Sequence, residues 1–171
     1  MFPETRNNMI RLWLFDADGT LSDPEHRKHF ISGKRGKNYD AFYEACDGDG
    51  VLPTLRIFEH LYNSWDDIFI VSGRINSVRE KTLDWILKNT NINPSRRSHL
   101  SSILYMRPTE DPYTPDQIVK KRILDEIEAK YKANDEEYKI MGVFDDRNKV
   151  IRMWQENGLF VFNCNQTGEE F

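Results

Sequence analysis

The sequence predicts an α/β fold: a mostly parallel sheet with helices on both faces. Three observations carry this. Short runs that are apolar on both parities alternate with segments of helical periodicity along the chain. The runs close on acids or small polar residues, as in "RLWLFDADGT", "DIFIVSGR" and "KIMGVFDDR". No repeat, low-complexity tract or shift of composition divides the 171 residues, so residues 1–171 are expected to form one domain.

The elements follow in order. "RLWLF" is a strand covered on both faces, ending at Asp16. Residues 22–50 then break the alternation with a polar, glycine-containing stretch, expected to be a small cap-type insertion, because loops of that length in compact domains are usually functional. "PTLRIFEHLYNSW" starts with Pro53, a favoured first helical residue, and repeats Leu55, Phe58, Leu61 and Tyr62 at helical spacing. A second strand, Ile68 to Val71, is followed by a helix whose Val78, Leu83, Ile86 and Leu87 share one side. "SILYM" is expected to be the third strand. The next helix takes Thr114 as its N-cap and Pro115 as its first residue. "KIMGVFDDR" is a strand ending in acids, "NKVIRMWQENG" a helix stopped by Gly158, and "LFVFN" the last strand.

Bulk properties narrow the function. Net charge is −4 and the sequence pI about 5.6, so a polyanion contact requires a local basic patch. Cys46 and Cys164 form no Cys-x-x-Cys pair, which argues against a zinc knuckle or a disulfide scaffold and for a reducing compartment. No apolar run approaches the roughly 20 residues that cross a bilayer, and the N-terminus has no signal-peptide core. A soluble cytoplasmic protein is expected.

In open parallel sheets ligands bind outside the carboxyl ends of the strands. That rule gathers Asp16, Asp18, Ser72, Asp145 and Asp146 on one rim. Stacked carboxylates need a compensating cation, and Mg²⁺ takes oxygen ligands from a few carboxylates, waters and substrate phosphate. Asp16 and Asp18 with one or both of Asp145 and Asp146 are the metal candidates. Asp16, kept ionised by the metal, can attack phosphorus; Asp18 can protonate the leaving oxygen and then deprotonate water. Gly19 permits a sharp turn and Thr20 braces it. Ser72 offers a hydroxyl, Gly73 a backbone N–H, and Lys120 a point charge to the phosphoryl group.

These motifs carry a resemblance. "FDADGTL", "IVSGR", a lysine of "DQIVKKR" and "GVFDDR" resemble, in order, the four motifs of the haloacid dehalogenase (HAD) superfamily of phosphohydrolases. "VSGR", "DQIVKKRIL", "FDDRNKVIRMWQENG" and a tail ending Gly-acid-acid-Phe are similar to the 3′-phosphatase domain of bacteriophage polynucleotide kinase/phosphatase. The resemblance implies a Rossmann-like HAD fold and functional roles for Asp16, Asp18, Arg74, Lys120 and Asp145/Asp146. It selects Lys120 over the adjoining Lys121 and Arg122, and it marks Asp116, one helical turn earlier, as a partner for that lysine. It implies a Mg²⁺-dependent phosphomonoesterase acting through an aspartyl-phosphate on 3′-phosphates of polynucleotide ends, in host cytoplasm if phage-encoded. The kinase half is missing, and "SGKRGK" lacks the Gly-x-x-x-x-Gly-Lys-Ser/Thr spacing, so no kinase activity is expected.

"HRKHFISGKRGK" is the expected basic patch; Arg27, Lys34 and Arg35 are its candidate substrate contacts, with Tyr39, Phe42 and Tyr43 able to stack on a base. No obligate protein partner is evident. Two alternatives share the same motifs: a 5′-nucleotidase or small-metabolite phosphatase, and a non-catalytic binding module.

Overall fold

In this computed structural model residues 9–32, 36–166 and 168 are described. Five strands form the sheet: β1 (Ile10–Phe15), β4 (Asp67–Ile75), β5 (Leu104–Arg107), β6 (Tyr138–Asp145) and β7 (Val161–Asn163). Their order is β5-β4-β1-β6-β7 and every neighbouring pair is parallel. The chain builds outward from β1 through β4 to β5, then returns to the other side of β1 for β6. The direction of winding therefore reverses between β1 and β6, and a crevice opens there at the carboxyl ends.

Five helices cover the sheet: α3 (Thr54–Tyr62), α4 (Arg79–Asn89), α5 (Arg97–Ile103), α6 (Asp116–Ala133) and α7 (Asn148–Glu156). Each long helix buries one stripe, such as Val119, Ile123, Leu124, Ile127 and Tyr131 on α6 and Val150, Ile151, Met153 and Trp154 on α7. Phe15, Phe144 and Phe162 stack across β1, β6 and β7, with ring centroids 4.5 and 4.4 Å apart. Gly158 adopts φ +76° at the end of α7, the left-handed turn expected of it.

Between β1 and α3 lies the insertion. Its ends are joined by the antiparallel pair β2 (Ser22–Asp23) and β3 (Gly50–Val51); between them run α1 (His29–Ser32), α2 (Tyr39–Glu44) and two single 3-10 turns. Phe42, Tyr43 and Cys46 anchor it on the core.

Several element starts need correction: α3 starts at Thr54 with Pro53 in the capping position, and β7 starts at Val161 rather than Leu159. α6 starts at Asp116 with Pro115 in the capping position, and no side chain caps it. Thr114 bonds Asp111 in the preceding loop and gives its carbonyl to Arg107. The third strand starts at Leu104, because Ser102 and Ile103 close α5. Seven residues are too few for a readable period. Among the described residues no helix is long and apolar enough to cross a membrane.

Candidate active site

Asp16 follows β1 directly, and its N–H donates to Phe144 O of β6 at 2.9 Å. Asp145 ends β6 and Asp146 follows it, so the two strands beside the crevice deliver three acids to one point. One carboxylate oxygen from each of Asp16, Asp145 and Asp146 lies within 4.8 Å of the others, and all three residues are buried. Lys120 of α6 enters from the side: its Nζ is 2.8 Å from Asp16 Oδ1 and 2.8 Å from Asp145 Oδ2. Asp145 is further held by Trp154 Nε1 at 3.1 Å and Arg147 N at 3.2 Å. Asp146 Oδ1 is buried with no hydrogen-bond partner.

The charges are strained by burial. Burial pushes Asp16 well above the usual carboxylate range; Lys120 opposes this, and Asp145 and Asp146 reinforce it. Burial, then the neighbouring Asp145, pushes Asp146 up to about 7. Burial alone would lower Lys120, but Asp145 and Asp16 outweigh it, and the amine stays charged.

Asp18 belongs to a different cluster. Its Oδ1 accepts from Arg27 Nη2 at 2.6 Å, Arg74 Nη2 at 2.6 Å, Arg74 Nε at 2.9 Å and Ser22 Oγ at 3.2 Å. Both arginines also bind Asp49, from Arg27 Nε at 2.6 Å and Arg74 Nη2 at 2.7 Å. Burial acts to raise Asp18, yet Arg74 and Arg27 outweigh it and hold the carboxyl at about 2. Asp18 was expected among the metal ligands; the described acidic group does not include its carboxylate, which is paired instead with two guanidinium groups. Arg27 was expected on an exposed basic patch. It is 0% exposed, bound to Asp18, Asp49 and Phe42 O, with its guanidinium 4.1 Å over the Phe42 ring. Lys34 and Arg35 lie outside the described residues.

Asp16 and Asp18 open onto a cavity of about 250 Å³. Asp16, Asp18, Gly73 and Asp116 line its floor and sides, Lys37, Tyr39, Phe42 and Tyr43 form one wall, and Arg107, Tyr113 and Arg147 another. Ser72 is buried behind Gly73, its hydroxyl accepting from Arg74 N at 3.1 Å. Arg74 likewise sits beneath Asp18 rather than on the cavity surface. A Cβ on Gly73 would stand 2.2 Å from Asp116 Oδ1, so the strand needs glycine where that carboxylate crosses it. Asp116 takes Arg107 Nη2 at 3.1 Å and Arg147 Nη1 at 3.1 Å, and Lys120 Nζ is 3.9 Å away. Thr20 was expected to brace the turn through its hydroxyl; among the described residues Oγ1 is buried without a hydrogen-bond partner, and it is the Thr20 carbonyl that receives the Thr54 hydroxyl.

Sequence reasoning missed Asp49, Arg107, Tyr113 and Arg147. Arg107 could have been found, since it ends a strand on the same rim. Arg147 stands inside the quoted "FDDR". Asp49 and Tyr113 lie in loops whose only signal is spatial.

The model of the family described as "Polynucleotide kinase PNKP phosphatase domain" matches residues 10–169. A protein of Autographa californica nuclear polyhedrosis virus, described as a bifunctional polynucleotide kinase/RNA ligase, is 29% identical over 164 residues, covering 94% of this chain and 20% of its own. A chain from the structure of the Pnkp1/Rnl/Hen1 RNA repair complex is 25% identical with a TM-score of 0.62, covering 95% of this chain and 45% of that one. A haloacid dehalogenase-like hydrolase from Streptococcus pneumoniae shares the fold, at 15% identity and TM-score 0.52, over 90% of this chain and 84% of that one. The chain thus spans about a fifth of the viral relative and less than half of the repair-complex chain.

Proposed function

This chain belongs to the polynucleotide kinase PNKP phosphatase domain family, within the HAD phosphatases, and from that membership we propose that it removes 3′-phosphates from polynucleotide ends during nucleic-acid repair. The observation that carries the reading is the buried Asp16–Lys120–Asp145–Asp146 cluster, whose Asp16 reaches the lining of a cavity that Tyr39, Phe42, Tyr43 and Tyr113 also line. Acids able to hold a cation beside Asp16 suit a phosphoryl group. The tyrosines above suit the nucleoside attached to it. The matched relatives named for polynucleotide kinase and RNA repair support the same substrate class.

A divalent cation fits the acids. Three carboxylates and one lysine leave two negative charges uncompensated when all are ionised, and Asp146 Oδ1 is buried without a partner. Asp16, Asp145 and Asp146 are the residues that would hold Mg²⁺. When bound, it neutralises charge on the phosphoryl oxygens and keeps the carboxylates ionised.

The chain's own residues then divide the work. Asp16 Oδ attacks phosphorus, forming an aspartyl-phosphate as the bond to the 3′-oxygen breaks. Lys120 fixes Asp16 through Oδ1. Arg107 and Arg147 add positive charge to the cavity wall. Among the described residues the four hydrogen bonds to the Asp18 carboxylate all fall on Oδ1, leaving Oδ2 for a reactant. Held ionised, Asp18 suits removal of a proton from the water that hydrolyses the intermediate. The proton for the leaving 3′-oxygen comes with the substrate as its phosphate monoanion and passes through Asp18 Oδ2, which the approaching anion makes more basic.

Phosphate release from a 3′-phosphorylated oligonucleotide, its 5′ isomer and free mononucleotides, with Mg²⁺ and with EDTA, tests the proposal. The 3′ oligonucleotide is expected to turn over fastest. Preference for the 5′ isomer or for mononucleotides would replace the substrate; no release from any phosphate ester would leave a binding module.

A further inference from the structure

Beyond the cavity, a second concavity of about 420 Å³ lies between α6 and α7. Ile118, Lys121, Arg122, Lys149, Arg152 and Glu156 line it. Four cations against one acid is a local excess opposite in sign to the net charge of −4. We propose that this groove is a track for the sugar-phosphate backbone of a single-stranded nucleic acid leading away from the active site. The proposal rests on the reading of polynucleotide as substrate.

Position is the first argument. Asp116 and Arg147, which line the cavity, are joined at 3.1 Å. Gln117 and Ile118, which follow Asp116 on α6, and Lys149, two residues after Arg147 in the first turn of α7, already line the groove. A chain leaving the cavity over the Asp116–Arg147 bridge therefore enters the groove directly.

Availability is the second argument. Lys149 and Arg152 are exposed and have no carboxylate partner among the described residues. Lys121 pairs with Asp125 and Arg122 with Asp111, both as solvent-exposed bridges. Such exposed bridges are weak and screened by solvent, so a phosphate can displace them. Among the described residues no aromatic ring lines the groove, so its lining offers charge without base stacking. This suits recognition of a backbone irrespective of sequence.

The test uses the full chain and a fluorescent single-stranded oligothymidylate with a free 3′-hydroxyl, followed by anisotropy across a salt series. The variant is Lys149→Gln with Arg152→Gln, both on the exposed face of α7; Arg122→Gln on the opposite wall is a second, independent variant. The double variant is expected to bind about tenfold more weakly and to flatten the slope of log affinity against log salt by about 1.4, at about 0.7 per lost phosphate contact on a single strand. Arg122→Gln is expected to flatten it by about half as much. Melting curves superimposable on wild type show that folding is intact. Unchanged affinity and slope would overturn the proposal. So would displacement of the oligonucleotide by an acidic peptide of equal charge as readily as by unlabelled oligonucleotide, which would assign the groove to a protein partner. Phosphate release by wild type is measured separately, so a chain that binds the oligonucleotide through the groove but hydrolyses no 3′-phosphate refutes the function alone.

Discussion

Arg27 Nη2 lies 2.6 Å from Asp18 Oδ1 with the Arg27 side chain entirely out of solvent. The insertion thus reaches under the first motif and holds its second acid. Asp49, also fully buried, closes the arrangement by binding Arg27 and Arg74 together. Asp49→Ala would leave two buried guanidinium groups sharing one carboxylate. A loss of about 3–5 kcal/mol in urea unfolding is expected, as for other broken buried pairs. A loss below about 1 kcal/mol would show that the network is dispensable.

The same pairing sets an acid limb. Asp18 is held at about 2 against its ordinary 3.8. A depressed folded-state value adds stability above the unfolded value, and that stability is lost as pH falls through the folded one. About 2 kcal/mol should disappear between pH values near 4 and near 2. The loss should be smaller in Asp18→Asn by that amount, read from urea midpoints at each pH.

For Asp16, a near-isosteric Asp16→Asn change removes the nucleophile and keeps the shape. Turnover should fall by at least about 10³-fold, with the circular dichroism spectrum unchanged. Retained turnover would exclude Asp16 as the attacking group.

Mg²⁺ should raise the melting temperature, since it offsets the two negative charges that Lys120 leaves uncompensated among the three acids. Asp146, at about 7 without metal, must lose its proton to act as a ligand. Apparent Mg²⁺ affinity should therefore weaken as pH falls below about 7, by up to about tenfold per unit. Calorimetric titration at several pH values checks the sign. Affinity that is flat with pH would detach Asp146 from the metal site.

Gly19 adopts φ +81°, and a Cβ there would stand 2.0 Å from Asp146 Oδ2. Gly19→Ala adds left-handed strain of about 1–3 kcal/mol and pushes that carboxylate aside. Mg²⁺ binding should weaken more than folding, which paired calorimetry and thermal melts would show.

Much of the site was legible because strand ends announce themselves. Apolar runs closing on Asp16, on Ser72–Gly73 and on Asp145–Asp146 placed these residues on one rim before any coordinates. Lys120 needed the resemblance, since helical spacing alone does not choose it over Lys121. The helix start at Asp116 rather than Pro115 was misread because Thr114 prefers a loop partner, Asp111. Arg27 was misread for a physical reason: a run of basic residues looks solvated until a buried carboxylate such as Asp49 arrives from 22 positions later.

The sequence by itself therefore determined the parallel α/β sheet, the acidic rim and the phosphohydrolase motifs, since local periodicity and strand-end chemistry are written within a few neighbouring residues. The tertiary structure alone decided which acids share a cation-sized space and which are neutralised by arginine. It alone also decided where the basic groove lies. Charge pairing depends on distances across the fold, and a buried ion is tolerated only when a partner from another segment reaches it.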